Sequence, residues 1–191
     1  MINKIDTKKL DNLINKKFPI IYKYNFDGLL LLYGGAIKDT LTGGNTKDLD
    51  FVILSQKECQ IKKFLSKYKL NYKKNVFGGY KINYKNTEID ICTTDDLLNV
   101  MRYDIDGMFY DIQKQQMILC GPERAYKEMM ITEVNATEFF DINRLKKLKR
   151  HIQKINKSSK RVKVRQNIFT IIYIKIKKEI KRIFKGRQKV C

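Results

Sequence analysis

The 191-residue sequence predicts a mixed α+β domain: a small, mostly antiparallel sheet flanked by helices, followed by a basic helical extension. Three observations carry this. Short apolar or β-branched runs alternate with Gly, Asn and Asp turn signals, as strands do. Segments with apolar residues three and four apart separate them, as helices do. The chain then changes character near residue 141, where acidic residues almost vanish.

Taken in order, residues 6–16 read as an amphipathic helix with Leu10, Leu13 and Ile14 on one face. Residues 29–33 are an apolar run that stops at Gly34-Gly35, a buried strand ending in a tight turn. Residues 36–41 suit a short helix, Gly43-Gly44-Asn45 a turn, and residues 48–54 a second strand. Helical spacing returns over 56–68 through Ile61, Phe64, Leu65 and Tyr68. Residues 78–84 and 88–94 predict a hairpin turning near Lys85-Asn86. Asp95 and Asp96 cap a short helix through Met101, residues 109–112 and 117–119 form a last hairpin, and Pro122 opens a helix.

The chain holds 40 Lys+Arg against 20 Asp+Glu, a net charge of +20 that calls for a polyanionic partner such as nucleic acid. Residues 1–140 carry 21 basic and 18 acidic groups, whereas residues 141–191 carry 19 and 2. The division expected is therefore a catalytic domain over 1–140 and a basic, neck-like helical extension over 141–191, broken by the polar stretch at 156–160. Within the extension an apolar stripe over 168–184 permits a homo-oligomer. Cys59, Cys92, Cys120 and Cys191 have no zinc-site spacing and no oxidising context, so they are expected reduced in an intracellular, cytoplasmic protein. No apolar run approaches the roughly 20 residues that cross a bilayer. His151 reads as a surface residue among basic neighbours.

Asp48 and Asp50 lie two apart on a predicted strand, so both carboxylates point to one face. Such a pair repels itself and needs a cation; Mg²⁺ (or Mn²⁺), which binds carboxylates together with substrate phosphates, meets that need and is expected on Asp48 and Asp50. Gly34-Gly35 offers backbone N–H groups free of any Cβ and runs into a helix N-terminus, the arrangement that receives phosphate. Each element alone is commonplace. In one strand-turn-helix-turn-strand unit they favour phosphoryl chemistry.

With these residues in view, the stretch Leu32 to Gly43 (LYGGAIKDTLTG) followed by Lys47-Asp48-Leu49-Asp50-Phe51 resembles the head-domain signature of class II CCA-adding enzymes and bacterial poly(A) polymerases. That signature reads Gly-Gly-x-Val-Arg-Asp-x-Leu-Leu-Gly, then Asp-x-Asp. The resemblance covers roughly residues 28–130. It implies a nucleotidyltransferase head in which Asp48 and Asp50 hold the metal, and Gly34, Gly35, Lys38 and Asp39 belong to the nucleotide site. Ile89 to Thr94 is similar to the family's Val-Asp-Ile-Ala-Thr-Ala-Arg strand and implies Asp90 as a third acidic residue. Arg102 to Asp111 resembles the Arg-Arg-Asp segment and implies Arg102 and Asp104 as nucleotide ligands. Asp141 and Arg144 keep the Asp-x-x-Arg spacing of the family's base-reading motif. Lys38 stands where the family has arginine, Tyr103 where it has the second arginine, and Asp106 and Met108 where it has threonine and asparagine.

The function the resemblance implies is template-independent addition of a nucleoside monophosphate from an NTP to an RNA 3′ end, of CCA-adding or poly(A) type, with tRNA among the acceptors. Lys146, Lys147, Lys149, Arg150, Arg161, Lys163 and Arg165 are the expected RNA contacts, since clustered cations bind phosphate backbones by counterion release. Two alternatives stay open: a toxin or other acceptor-modifying transferase on the same head, and a non-catalytic RNA-binding subunit.

Overall fold

The computed structural model describes residues 6–55, 57–75, 78–134, 142–158, 160 and 162–165. Helix α1 (Thr7–Lys17) leads through a 3₁₀ turn (Pro19–Lys23) into β1 (Leu29–Tyr33), α2 (Gly35–Thr42) and β2 (Asp48–Leu54). Then follow α3 (Cys59–Lys67), β3 (Tyr72–Lys74), β4 (Tyr80–Tyr84), β5 (Thr87–Thr94), β6 (Met108–Asp111) and β7 (Gln116–Leu119). Finally come α4 (Pro122–Glu128), β8 (Met130–Thr132), α5 (Ile142–Ile155) and β9 (Lys163–Arg165).

Seven strands form one sheet in the order β3-β4-β5-β2-β1-β6-β7. Among them only β2 and β5 pair in parallel, so the sheet is mostly antiparallel. The alternation of β2 explains its place at the centre. Leu49, Phe51 and Ile53 are fully buried against the helices, whereas Asp48, Asp50 and Val52 face the other side. On the helical side, Leu10 and Ile14 of α1, Ala36 and Ile37 of α2, and Ile61 and Phe64 of α3 join one core. On the other side a smaller cluster of Leu31, Val52, Met101 and Phe109 covers only part of the sheet. Among the described residues, Asp48 is exposed and Asp50 half-buried beside that cluster.

The hairpin between β4 and β5 turns at Lys85 and Asn86, whose φ angles of 46° and 65° are those of a two-residue type I′ turn. Asp96 caps the 3₁₀ turn Leu97–Val100 by accepting from the Leu98 amide at 2.8 Å. Cys59, Cys92 and Cys120 are free thiols. Among the described residues no helix is long and apolar enough to cross a membrane.

Three strands exceed the sequence expectation. β3 extends the sheet edge, and β8 and β9 form a separate two-stranded parallel sheet. The second of these corrects the expected all-helical extension: Lys163 and Arg165 lie on a strand, and Val162 beside it is buried. α5 keeps its helical form, with Leu145, Leu148 and Ile152 packed into the main core, so the basic extension is fastened to the domain through an apolar stripe. The 168–184 stripe lies outside the described residues.

Phe18, at the exit of α1, is fully buried, with its ring centroid 5.1 Å from Tyr84, 6.0 Å from Phe51 and 6.1 Å from Phe64. Phe18→Ala is expected to cost about 3–5 kcal/mol in urea-induced unfolding, through lost transfer energy and a cavity beneath β2. A cost under about 1 kcal/mol would separate α1 from the cooperative core.

Candidate active site

β1 delivers the chain to Gly34 with φ 79° and ψ −137°, a conformation that L residues avoid. Space makes the same demand as the backbone. A Cβ on Gly34 would stand 2.5 Å from Asp50 Oδ2, while one on Gly35 would stand 3.9 Å from Asp48 Oδ1. The turn is thus pressed against Asp50, with Asp48 at ordinary contact distance, and it opens directly into the N-terminus of α2. Unsatisfied amides and the positive end of the helix dipole gather there.

Strand register sets the acidic row. Asp50 lies opposite Asp90 on the parallel neighbour β5 and opposite Tyr33 on β1. Burial, reinforced by the negative charges of Asp48 and Asp90, pushes the Asp50 carboxyl up to about 6, against the opposing pull of Lys38 and Arg144. Tyr33 is raised well above its ordinary value, mainly by burial and further by Cys92 and Asp50. Asp90 has Lys81 Nζ at 3.6 Å. Burial and the neighbouring carboxylates together therefore outweigh the nearby cations at Asp50.

Beside the row opens a cleft of about 470 Å³. Its floor is Tyr33, Gly34, Gly35 and Asp50; one wall is Lys38, Asp39 and Thr42 of α2; the other is the face of α5 bearing Arg144, Lys147, Arg150, His151 and Lys154. Asp106 joins the two walls. Its carboxylate is 2% exposed, accepts from Lys38 Nζ at 2.7 Å and Arg144 Nη2 at 2.9 Å, and takes the Tyr103 amide at 3.2 Å. Burial alone would raise this carboxyl, but Lys38 and Arg144 prevail and hold it below the ordinary carboxylate value. At the far end Lys154 Nζ donates to the Thr42 carbonyl at 2.7 Å, closing a second link between α5 and α2.

The structure thus brings Gly34, Gly35, Lys38, Asp39, Asp50, Arg144, Lys147 and Arg150 to one cleft, with Asp48 and Asp90 beside it on the sheet. Arg102 and Asp104 stand elsewhere. Arg102 lies 3.5 Å from Glu133, and Asp104 Oδ1 accepts the amides of Ile105 and Thr132, so both serve the packing around β8 and neither lines the cleft. Lys146 is exposed on α5 outside the cleft, and Lys149 is half-buried. Asp141 and Arg161 lie outside the described residues.

His151 is not the surface residue expected. Its Nε2 is 2.7 Å from Tyr126 Oη, and burial together with the cations Lys38, Lys147 and Lys154 lowers its pKa to about 4, leaving the ring neutral at neutral pH. Asp106, His151 and Lys154 are the cleft residues that sequence reasoning passed over. An aspartate among Ile105, Met108 and Phe109 was the available signal for Asp106, since a buried carboxylate implies a partner.

No family model matches the sequence, and no curated protein matches it. Solved structures match by fold. A CCA-adding enzyme in complex with CTP aligns with TM-score 0.52 at 18% identity, over 96% of this chain and 46% of that one. The Thermotoga maritima CCA-adding enzyme complexed with tRNA gives 0.51 at 20% identity, over 91% and 43%. The chain therefore spans less than half the length of these two structures. At such identity the likeness is one of architecture: the chain has the nucleotidyltransferase head fold found in CCA-adding enzymes.

Proposed function

We propose that this chain is a metal-dependent, template-independent nucleotidyltransferase that moves a nucleoside monophosphate from an NTP onto an RNA 3′ end. The observation that carries the reading is the pressing of Gly34 against Asp50, which sets the turn at the α2 N-terminus beside the acidic row of Asp48, Asp50 and Asp90. Two solved structures of this fold, CCA-adding enzymes bound to CTP and to tRNA, support the same substrate classes.

The donor set fits a hard divalent ion. Asp48 and Asp50 offer carboxylate oxygens on one face, and Asp50 is raised first by burial and then by Asp48 and Asp90, both of which a bound cation would offset. Mg²⁺ takes one or two carboxylates and completes its shell with water and substrate phosphates. When bound, Mg²⁺ or Mn²⁺ would supply charge neutralisation on the triphosphate and a lowered pKa for the attacking hydroxyl.

The chain's own groups do the rest. Amides of the Gly34-Gly35 turn and the α2 N-terminus hold the triphosphate, and Lys38, kept in place by Asp106, adds positive potential to the cleft. The RNA 3′ oxygen then bonds to the α-phosphorus as the α–β phosphoanhydride bond breaks; pyrophosphate leaves and the hydroxyl proton passes to water. Lys147, Arg150 and Lys154 line the α5 wall and favour polyanions there.

Incubation with labelled NTPs, Mg²⁺ and RNA primers is expected to yield 3′-extended products, and Asp48→Asn or Asp50→Asn to lower the rate at least 100-fold, the scale on which transition-state charge stabilisation acts. Extension by both variants at the wild-type rate would sink the proposal. Gly34→Ala places a methyl against the Asp50 carboxylate, so its NTP affinity is expected to fall about tenfold or more, roughly 1.4 kcal/mol, while far-ultraviolet circular dichroism stays native. Wild-type affinity for NTP in Gly34→Ala would place the triphosphate elsewhere. Metal uptake must displace the proton from Asp50, so Mn²⁺ affinity is expected to fall roughly tenfold per pH unit below about 6 and to be flat above it. In titrations monitored by Mn²⁺ paramagnetic resonance, a pH-independent affinity from 5 to 7 would remove Asp50 from the metal site.

A further inference from the structure

The charge of the amino-terminal 140 residues is not evenly spread. Between residues 57 and 85 the chain carries nine lysines and one acidic residue, Glu58. This stretch is α3, β3 and β4, the edge of the sheet remote from β7. Three of its lysines are paired locally, Lys57 with Asp27, Lys74 with Glu58, and Lys81 with Glu88 and Asp90. Paired Lys81 and solvent-facing Lys73 share a specific address.

Strand register carries the acidic row onward across the sheet. Tyr33 of β1 lies opposite Asp50 of β2, Asp50 opposite Asp90 of β5, Asp90 opposite Lys81 of β4, and Lys81 opposite Lys73 of β3. Opposed residues in a sheet project to the same face. The helix-side face at these strands is taken by Tyr80 and Ile82, so Lys73 and Lys81 share the open face with Asp50 and Asp90. Lys81 contacts Glu88 at 2.6 Å and Asp90 at 3.6 Å, whereas Lys73 is exposed with no ion pair among the described residues.

The carboxylates therefore stand between two cationic zones. On one side is the cleft with Lys38, Arg144 and Lys147; on the other are Lys81 and Lys73, about one and two strand spacings of ~4.8 Å beyond Asp90. Phosphoryl transfer needs the attacking and leaving oxygens roughly in line across the phosphorus. With the triphosphate in the glycine-turn cleft, the attacking hydroxyl must arrive from the side of β5, β4 and β3. We infer that Lys73 and Lys81, on the open face of the sheet edge, seat the phosphodiester backbone of the single-stranded 3′ end of the acceptor RNA. This rests on the transfer reading only for the direction of approach. It moves the acceptor's terminal contacts from the carboxy-terminal extension to the sheet edge, leaving α5 to the nucleotide side.

The test uses the full chain and a fluorescent, unstructured RNA oligonucleotide with a free 3′ hydroxyl. Lys73→Glu combined with Lys81→Met is expected to weaken binding about tenfold or more. The dependence of log affinity on log salt should flatten by about 1.4, two contacts at roughly 0.7 each on a single strand. Lys8→Glu with Lys9→Glu on exposed α1, a larger change in net charge at a distant place, is expected to change affinity less than threefold. Equal losses from the two pairs, or no loss from the first, would overturn the proposal. Photo-crosslinking from a 4-thiouridine at the 3′ terminus is expected to label the peptide spanning residues 69–85; labelling confined to residues 142–165 would overturn it as well. If the oligonucleotide binds and crosslinks at 69–85 but wild-type protein extends no primer with any NTP, the transfer reading falls while the RNA seat stands.

Discussion

The carboxylate of Asp106, buried between Lys38 of α2 and Arg144 of α5, ties together the two helices that wall the cleft. Taking the Asp106 carboxylate and the Lys38 ammonium out of water costs several kcal/mol per ion, and close pairing, completed by half-exposed Arg144, offsets it. Here each oxygen has its own cation, and Oδ2 also receives the Tyr103 amide. Because a half-made arrangement would strand a buried charge, the position of α5 against α2 is specified far more narrowly than apolar packing through Leu145, Leu148 and Ile152 would require. The same 3₁₀ turn, Asp104–Asp106, holds β8 through Asp104 Oδ1 and the Thr132 amide at 3.0 Å. One three-residue turn thereby sets the relation of sheet, cleft and carboxy-terminal elements.

The parts of this architecture legible in the sequence are those in which local pattern and final burial coincide. The β2 alternation, the glycine stop after β1 and the turn at Lys85-Asn86 each depend on neighbours a few residues away, and all three are observed. β3 was hidden because Tyr72-Lys73-Lys74 has no apolar face of its own and is a strand only by pairing with β4. β8 and β9 were hidden because a parallel pair joins segments some thirty residues apart. Asp106 shows the same limit in the site: its partners are 68 and 38 residues distant, so no window of sequence displays the cluster. His151 had basic neighbours in sequence and an aromatic neighbour in space, and the second decided its burial. Arg102 and Asp104 followed a motif resemblance, yet their side chains are engaged by Glu133 and by backbone amides around β8.

A whole-chain charge of +20 conceals the feature on which the chemistry turns. In-register pairing of β2 with β5 sets Asp50 directly opposite Asp90, with Asp48 two residues away on the same face. Like charges directly opposed across strands destabilise a sheet, and a sequence rich in lysine could have neutralised them. It does so only partly. Lys38 and Arg144 are drawn to Asp106, Lys81 is shared between Glu88 and Asp90, and Asp50, raised first by burial and then by Asp48 and Asp90, stands at about 6. Cations thus surround the acidic row on both sides without filling it. Such an arrangement attracts a polyanion through its rim and a divalent ion through its centre, and only a partner that brings both charges satisfies it. A nucleoside triphosphate carried with its metal is such a partner, and this electrostatic demand, rather than the net charge, is what connects the fold to nucleotidyl transfer.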